Sequence, residues 1–132
     1  MKANELRIGN LIKGLDNSTT YRVISVLEDR IVSKSLSYNI TNTFYMDDSD
    51  IKPISLTEEW VVKFGFESNS TVFENYQVET FVIQEAELTI GFSSIGNIDV
   101  NFKEVPIKEP KYVHELQNLY FALTGEELTI KK

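Results

Sequence analysis

The chain has 132 residues, with 13 Lys and Arg against 20 Asp and Glu, one His, one Trp and no Cys, for a formal charge of −7 at pH 7. With no thiol and a single imidazole, this chain alone cannot form a disulfide, a Cys-rich zinc or iron–sulfur site, a Cys/His nucleophilic pair or a multi-histidine metal site. What remains, 42% hydrophobic and 25% charged residues, is the composition of an ordinary globular protein, long enough to bury roughly two-thirds of the surface its unfolded form exposes.

The first residues turn charged, at Lys2, Glu5 and Arg7, before any apolar run of signal-peptide length, and no stretch approaches the ~18 apolar residues of a membrane span. A cytoplasmic setting without membrane contact is expected. Ile8 to Lys13, Tyr21 to Leu27 and Ile31 to Ser35 are β-rich runs separated by Gly14 to Ser18 and by the tight Glu28-Asp29 turn. The Tyr21–Leu27 run carries apolar residues on both faces, which predicts a strand covered on both sides. The polar stretch Leu36 to Asn42 then leads to Phe44-Tyr45-Met46, the acidic turn Asp47-Asp48-Ser49-Asp50, and Ile51 to Ile54. Short strands following one another within about 55 residues predict an SH3-like small β-barrel over residues 1–54.

Residues 55–65 read as a helix, capped by Thr57 or by Ser55 with Glu58 as a capping box, with Trp60, Val61 and Phe64 on one face and Gly65 at its end. Residues 71–103 read as an antiparallel meander: Val78 to Ile83, then Leu88, Ile90 and Phe92, then Ile98, Val100 and Phe102, each alternating with polar positions. Gly96-Asn97 signals a hairpin, and Pro106 and Pro110 bracket an extended linker. A last helix is predicted from about Lys111 to Leu123, ended by Thr124-Gly125, with Glu126 to Ile130 as a final edge strand. At 100° per residue Tyr112, Leu116, Leu119, Tyr120 and Leu123 form its core face, while His114, Gln117, Asn118 and Phe121 fall on the other side. The fold class is therefore α+β: a barrel unit, residues 1–54, and an α-β-meander-α unit, residues 55–132, with the last helix on the meander and the two units packed as one body.

Glu5-Leu6-Arg7-Ile8-Gly9-Asn10, Leu56-Thr57-Glu58-Glu59-Trp60 with Lys63-Phe64-Gly65-Phe66, and above all the long block from Lys111 to Leu128 resemble a family of small uncharacterised proteins encoded in the genomes of gut anaerobes and their phages. The resemblance implies a bacterial or phage origin and a cytoplasmic setting. It implies no reaction, cofactor or site residue.

Among chemistry-bearing residues, His114 is the side chain that titrates nearest neutrality, so a hydrolase would use it as general base with Glu115 or Glu126 orienting it, or would use paired carboxylates. A lone histidine with no nucleophile motif is more simply a surface or interface residue. The acidic turn 47–50 offers carboxylates for a cation, but a calcium loop counted from Asp48 would place Pro53 where Gly is required. No catalytic, metal or cofactor residues are assigned. The favoured function is a non-enzymatic interaction or accessory module that binds another protein or itself through His114, Gln117, Asn118 and Phe121, since an aromatic flanked by amides suits an interface; the pattern equally allows a second layer such as the N-terminal barrel to cover this stripe within the monomer. The alternative is nucleic-acid binding by the barrel. There Arg22, Arg30 and Lys34, with Lys13, would meet phosphates, and Tyr45, with Tyr21, Tyr38 and Phe44, would stack on bases. Residues 1–52 hold seven cations and seven acids, whereas the remainder holds six Lys and thirteen acids and hence the whole −7, which weighs against a phosphate backbone.

Overall fold

The computed structural model describes residues 5–14, 19–37, 40–45, 51–72, 77–83, 86–93 and 97–131. The chain is α+β, with two antiparallel sheets and two helices. Sheet 1 has the order β1-β2-β3-β4, built from β1 (Leu11–Lys13), β2 (Thr20–Val26), β3 (Arg30–Ser35) and β4 (Thr41–Tyr45). Its inward positions are Ile12, Tyr21, Val23, Ile31 and Phe44, which pack with Leu6 and Ile51 as one cluster. Tyr21 and Phe44 meet edge to face at 5.5 Å, and the Tyr21 hydroxyl accepts from Asn42 Nδ2 at 2.9 Å. Both aromatics are thus core residues and do not serve as base-stacking surface.

Two expectations for this region change. Residues 51–54 form no strand; only a bridge between Lys13 and Lys52 joins them to β1, and among the described residues sheet 1 does not close into a barrel. β2 is covered on one face only: a register shift between Val23 and Ser25 interrupts its pairing with β3, and Arg22, Ile24 and Val26 remain exposed. Ile24 follows the alternation set by Arg22 and lies outward, so the apolar residues on that face of the strand are left uncovered. The acidic turn 47–50 and Tyr38 lie outside the described residues.

Helix α1 spans Glu58–Lys63, with Thr57 as N-cap but without the predicted side-chain cap bond. Sheet 2 has the order β5-β6-β7-β8-β9: β5 (Glu67–Val72), β6 (Gln77–Ile83), β7 (Leu88–Ser93), β8 (Ile98–Phe102) and β9 (Val105–Ile107). The register places Phe81 opposite Ile90, Ile90 opposite Val100 and Leu88 opposite Phe102, so the alternating apolar positions share one face. Phe81, Leu88, Ile90 and Val100 are buried. The sheet has two more strands than the alternation predicts. β5 is polar except for its last residue, Val72, and β9 contains Pro106, in the segment expected to be a linker. The β8–β9 turn consists of Lys103 and Glu104, both in the left-handed region at φ 51° and 69°, a geometry normally signalled by Asn-Gly.

Helix α2 spans Val113–Thr124 and ends at Gly125 in the left-handed conformation, φ 76°. Residues 126–130 form no strand; Leu128 is buried and the Lys131 amide donates to the Lys63 carbonyl at 2.8 Å. The chain divides into two compact units, the first comprising Met1–Ser55 with Tyr112–Glu127 and the second Leu56–Lys111 with Leu128–Lys132. The last helix therefore belongs with the N-terminal sheet rather than with the meander. Its neighbour in sheet 1 is β1, and the Val113 amide donates to the Ile54 carbonyl at 2.8 Å.

An L-residue held in the left-handed region costs roughly 1–2 kcal/mol. Glu104→Gly, φ 69° in the native turn, is expected to stabilise the protein by about 0.5–1 kcal/mol, read as a higher urea midpoint at unchanged slope.

Candidate functional site

Two groupings of polar residues stand out in the first unit. The earlier expectation placed His114, Gln117, Asn118 and Phe121 on an outer stripe of α2, but most of that stripe faces the N-terminal segment. His114 and Gln117 are 3% and 2% exposed. The Gln117 carboxamide pairs with the backbone of β1 as a neighbouring strand's peptide would: its Oε1 accepts from the Leu11 amide at 2.9 Å and its Nε2 donates to the Gly9 carbonyl at 3.0 Å. Gly9, at φ 99°, holds a conformation that side-chain-bearing residues rarely adopt, and its own amide donates to the Val23 carbonyl at 2.7 Å.

One residue further, Asn118 Oδ1 accepts from Asn10 Nδ2 (2.9 Å) and from Arg7 Nη1 (3.1 Å), while its Nδ2 donates to the Glu5 carbonyl (2.9 Å). Arg7 also pairs with Glu127 and lies over the Phe121 ring, 4.0 Å from its centroid. Phe121 keeps 39% of its surface, but one ring face carries the guanidinium. The buried arc of α2, Val113, His114, Leu116, Gln117 and Tyr120, is thus rotated towards the polar side of the helix. The physical reason is that Gln117 and Asn118 meet β1 and its approach through satisfied hydrogen bonds, so their burial is not penalised.

His114 is placed poorly for catalysis. Its Nδ1 is buried with no hydrogen-bond partner among the described residues, and its ring stacks on Tyr112 at 5.9 Å and 9°. Burial lowers its pKa below 6.5, outweighing the opposing pull of Glu115 and Glu5. A ring this deeply buried is not presented to a substrate in solution. No group of three or more potential metal ligands occurs among the described residues.

The second grouping lies on the outward face of sheet 1. On β3, Ile31, Ser33 and Ser35 are buried and the alternate positions Arg30, Val32 and Lys34 point the other way. Register carries this parity across the sheet: Lys34 is opposite Arg22 and Thr41, Arg30 opposite Tyr45, Lys13 opposite Thr20 and, across the isolated bridge, opposite Lys52. Lys13, Arg22, Arg30, Lys34 and Lys52 therefore share one face, and they are all the described cations between residues 8 and 55. Arg22 and Lys34 are directly opposed like charges, and so are Lys13 and Lys52; such pairs are destabilising in a sheet. Among the described residues the ion pair on this face is Arg30 with Asp29, exposed and 3.9 Å long. Arg22, Arg30, Lys34 and Tyr45, assigned separately from the sequence, thus occupy register positions on one surface. Lys52 was not foreseen, because only the bridge to Lys13 brings it there.

Comparison with protein-family models, with curated proteins and with solved structures finds no match.

Removing the Gln117 carboxamide leaves the buried Leu11 amide of β1 and the part-buried Gly9 carbonyl just before it unpaired. Gln117→Ala is expected to destabilise the protein by about 2–4 kcal/mol in equilibrium denaturation. Phe121→Ala, which removes only a partly exposed cation–π contact, is expected to cost about 1 kcal/mol or less.

Proposed function

We propose that the protein is a non-enzymatic binding module that holds an anionic polymer, single-stranded nucleic acid first, on the outward face of sheet 1. The observation that carries this reading is the alignment of Arg22 with Lys34 and of Lys13 with Lys52 on that face. Two cross-strand pairs of like charge work against the fold, and an anion laid over them would relieve both. Directly opposed positions are about 5 Å apart and diagonal ones about 7–8 Å, so flexible Lys and Arg side chains can follow successive phosphates. The exposed hydroxyl-bearing positions Thr41 and Thr43 add neutral donors on the same face.

The net charge of −7 does not bear directly on this surface, because binding responds to the local field before the total. The described acids of residues 8–55 are Glu28 and Asp29, both in the turn between β2 and β3. The bridge at Lys52 also supports an SH3-like strand order for the first unit, with residue 52 beside β1 on the side away from β2. The likeness of the C-terminal block to small gut-bacterial and phage proteins fits an accessory role of this kind in a bacterial or phage cytoplasm. Protein binding through the outer stripe of α2 loses its basis, since Gln117 and Asn118 are engaged with Gly9, Leu11, Asn10 and Glu5.

Five cations on a single strand give a slope of log affinity against log salt of about −3.5, roughly a hundredfold loss between 50 and 200 mM salt. Retention of a fluorescent single-stranded oligonucleotide is expected at the lower concentration. Arg22→Ala with Lys34→Ala should flatten the slope by about 1.4 while leaving the urea midpoint unchanged or raised. Absence of binding at low salt, or a slope untouched by the double substitution, overturns the reading.

A further inference from the structure

We propose that α2 is an acid-released clasp on β1, opened when the buried His114 ring takes up a proton. This inference is independent of what binds sheet 1. It rests on the placement of the ring, which lies in the first turn of the helix that holds Gly9 and Leu11 through Gln117 one turn further on.

Three features of that placement oppose an imidazolium. Protonation makes both ring nitrogens donors, yet Nδ1 is buried and finds no acceptor among the described residues. The first turn of a helix is its positive end, where a cation is disfavoured. The ring is 3% exposed and stacked on Tyr112, so water cannot replace the missing acceptor without movement of the helix.

The charged groups acting on the ring are Glu115 from α2 and Glu5 from the N-terminal segment, which favour the proton, and the chain's amino terminus, which opposes it. The Glu115 carboxylate already accepts from the Tyr112 amide at 3.1 Å. Desolvation exceeds the two carboxylates, and the folded ring titrates below its ordinary 6.5. The sign follows from linkage. A base whose pKa is depressed by folding leaves the open state binding more protons, so the closed clasp is fully favoured above pH 6.5 and loses that advantage as pH falls.

The obvious route of release is local. Unwinding the first turn of α2 hydrates His114 and loosens Gln117, which frees the Gly9 carbonyl and the Leu11 amide on the side of β1 away from β2. With one proton involved, the opening equilibrium rises at most tenfold per pH unit.

The chain has one histidine, so its ring gives a single, unambiguous NMR titration. Two measurements on the full chain test the clasp. The ring is expected to titrate below 6.5. Hydrogen exchange of the Leu11 amide, corrected for its intrinsic rate, is expected to lose protection by up to about tenfold between pH 7.5 and 5.5. The Val100 amide of sheet 2 should keep its protection over that range. His114→Phe, which retains a stacking ring but cannot take a proton, should abolish the change at Leu11. A ring titrating at or above 6.5 overturns the clasp, and because it is read on the unsubstituted protein it decides even if His114→Phe fails to fold. Equal Leu11 protection at both pH values also overturns it, as does an equal loss at Leu11 and Val100, or an undiminished loss in His114→Phe.

Discussion

The first unit depends on one side chain meeting one stretch of backbone. β1 is three residues long; on the side away from β2, Lys13 pairs with Lys52, which leaves the Leu11 amide and the Gly9 carbonyl just before the strand to find another partner. Gln117 satisfies both at once, from a helix more than a hundred residues further along the chain. A carboxamide has the donor and acceptor of a peptide group in the same plane, so it can complete a ladder where no strand is available. Around it, Asn118 gathers the side chains of Arg7 and Asn10 and the carbonyl of Glu5, which fixes the approach to β1. These contacts hold α2 to the N-terminal sheet.

Much of the local structure was legible because it rests on short-range rules. The alternation in Leu88–Phe92 and Ile98–Phe102 gave both strands and their shared face, and Gly125 marked the end of α2. What was not legible has physical causes. β5 has no apolar alternation, and the β8–β9 turn uses Lys103-Glu104 in a conformation that glycine and asparagine usually signal. The helical wheel of α2 placed Leu116 and Tyr120 inward correctly and put Gln117 and His114 on the other side, without deciding whether that side is covered. A wheel scores polarity, and it cannot see that a polar group is buried at little cost when its partners are waiting.

The same limit applies to the surface of sheet 1. Arg22, Arg30, Lys34 and Tyr45 could be named from residue type alone, but their relation is a matter of register, and a slip of one residue in β2 or β3 would have sent them to opposite faces. Lys52 joins them only through its bridge to Lys13. Dividing the charge by position along the chain, into a neutral first part and an acidic remainder, also misses the arrangement that matters, because α2 brings Glu115, Glu126 and Glu127 into the first unit while the cations of its sheet stay on one face.

The first unit is built from two segments far apart in the sequence, with most of the second unit between them. During synthesis the four strands of sheet 1 leave the ribosome well before Gln117 and Asn118 do. Until those residues emerge, Gly9 and Leu11 lack their partner. A chain truncated before residue 117 therefore loses the partner of its earliest strand.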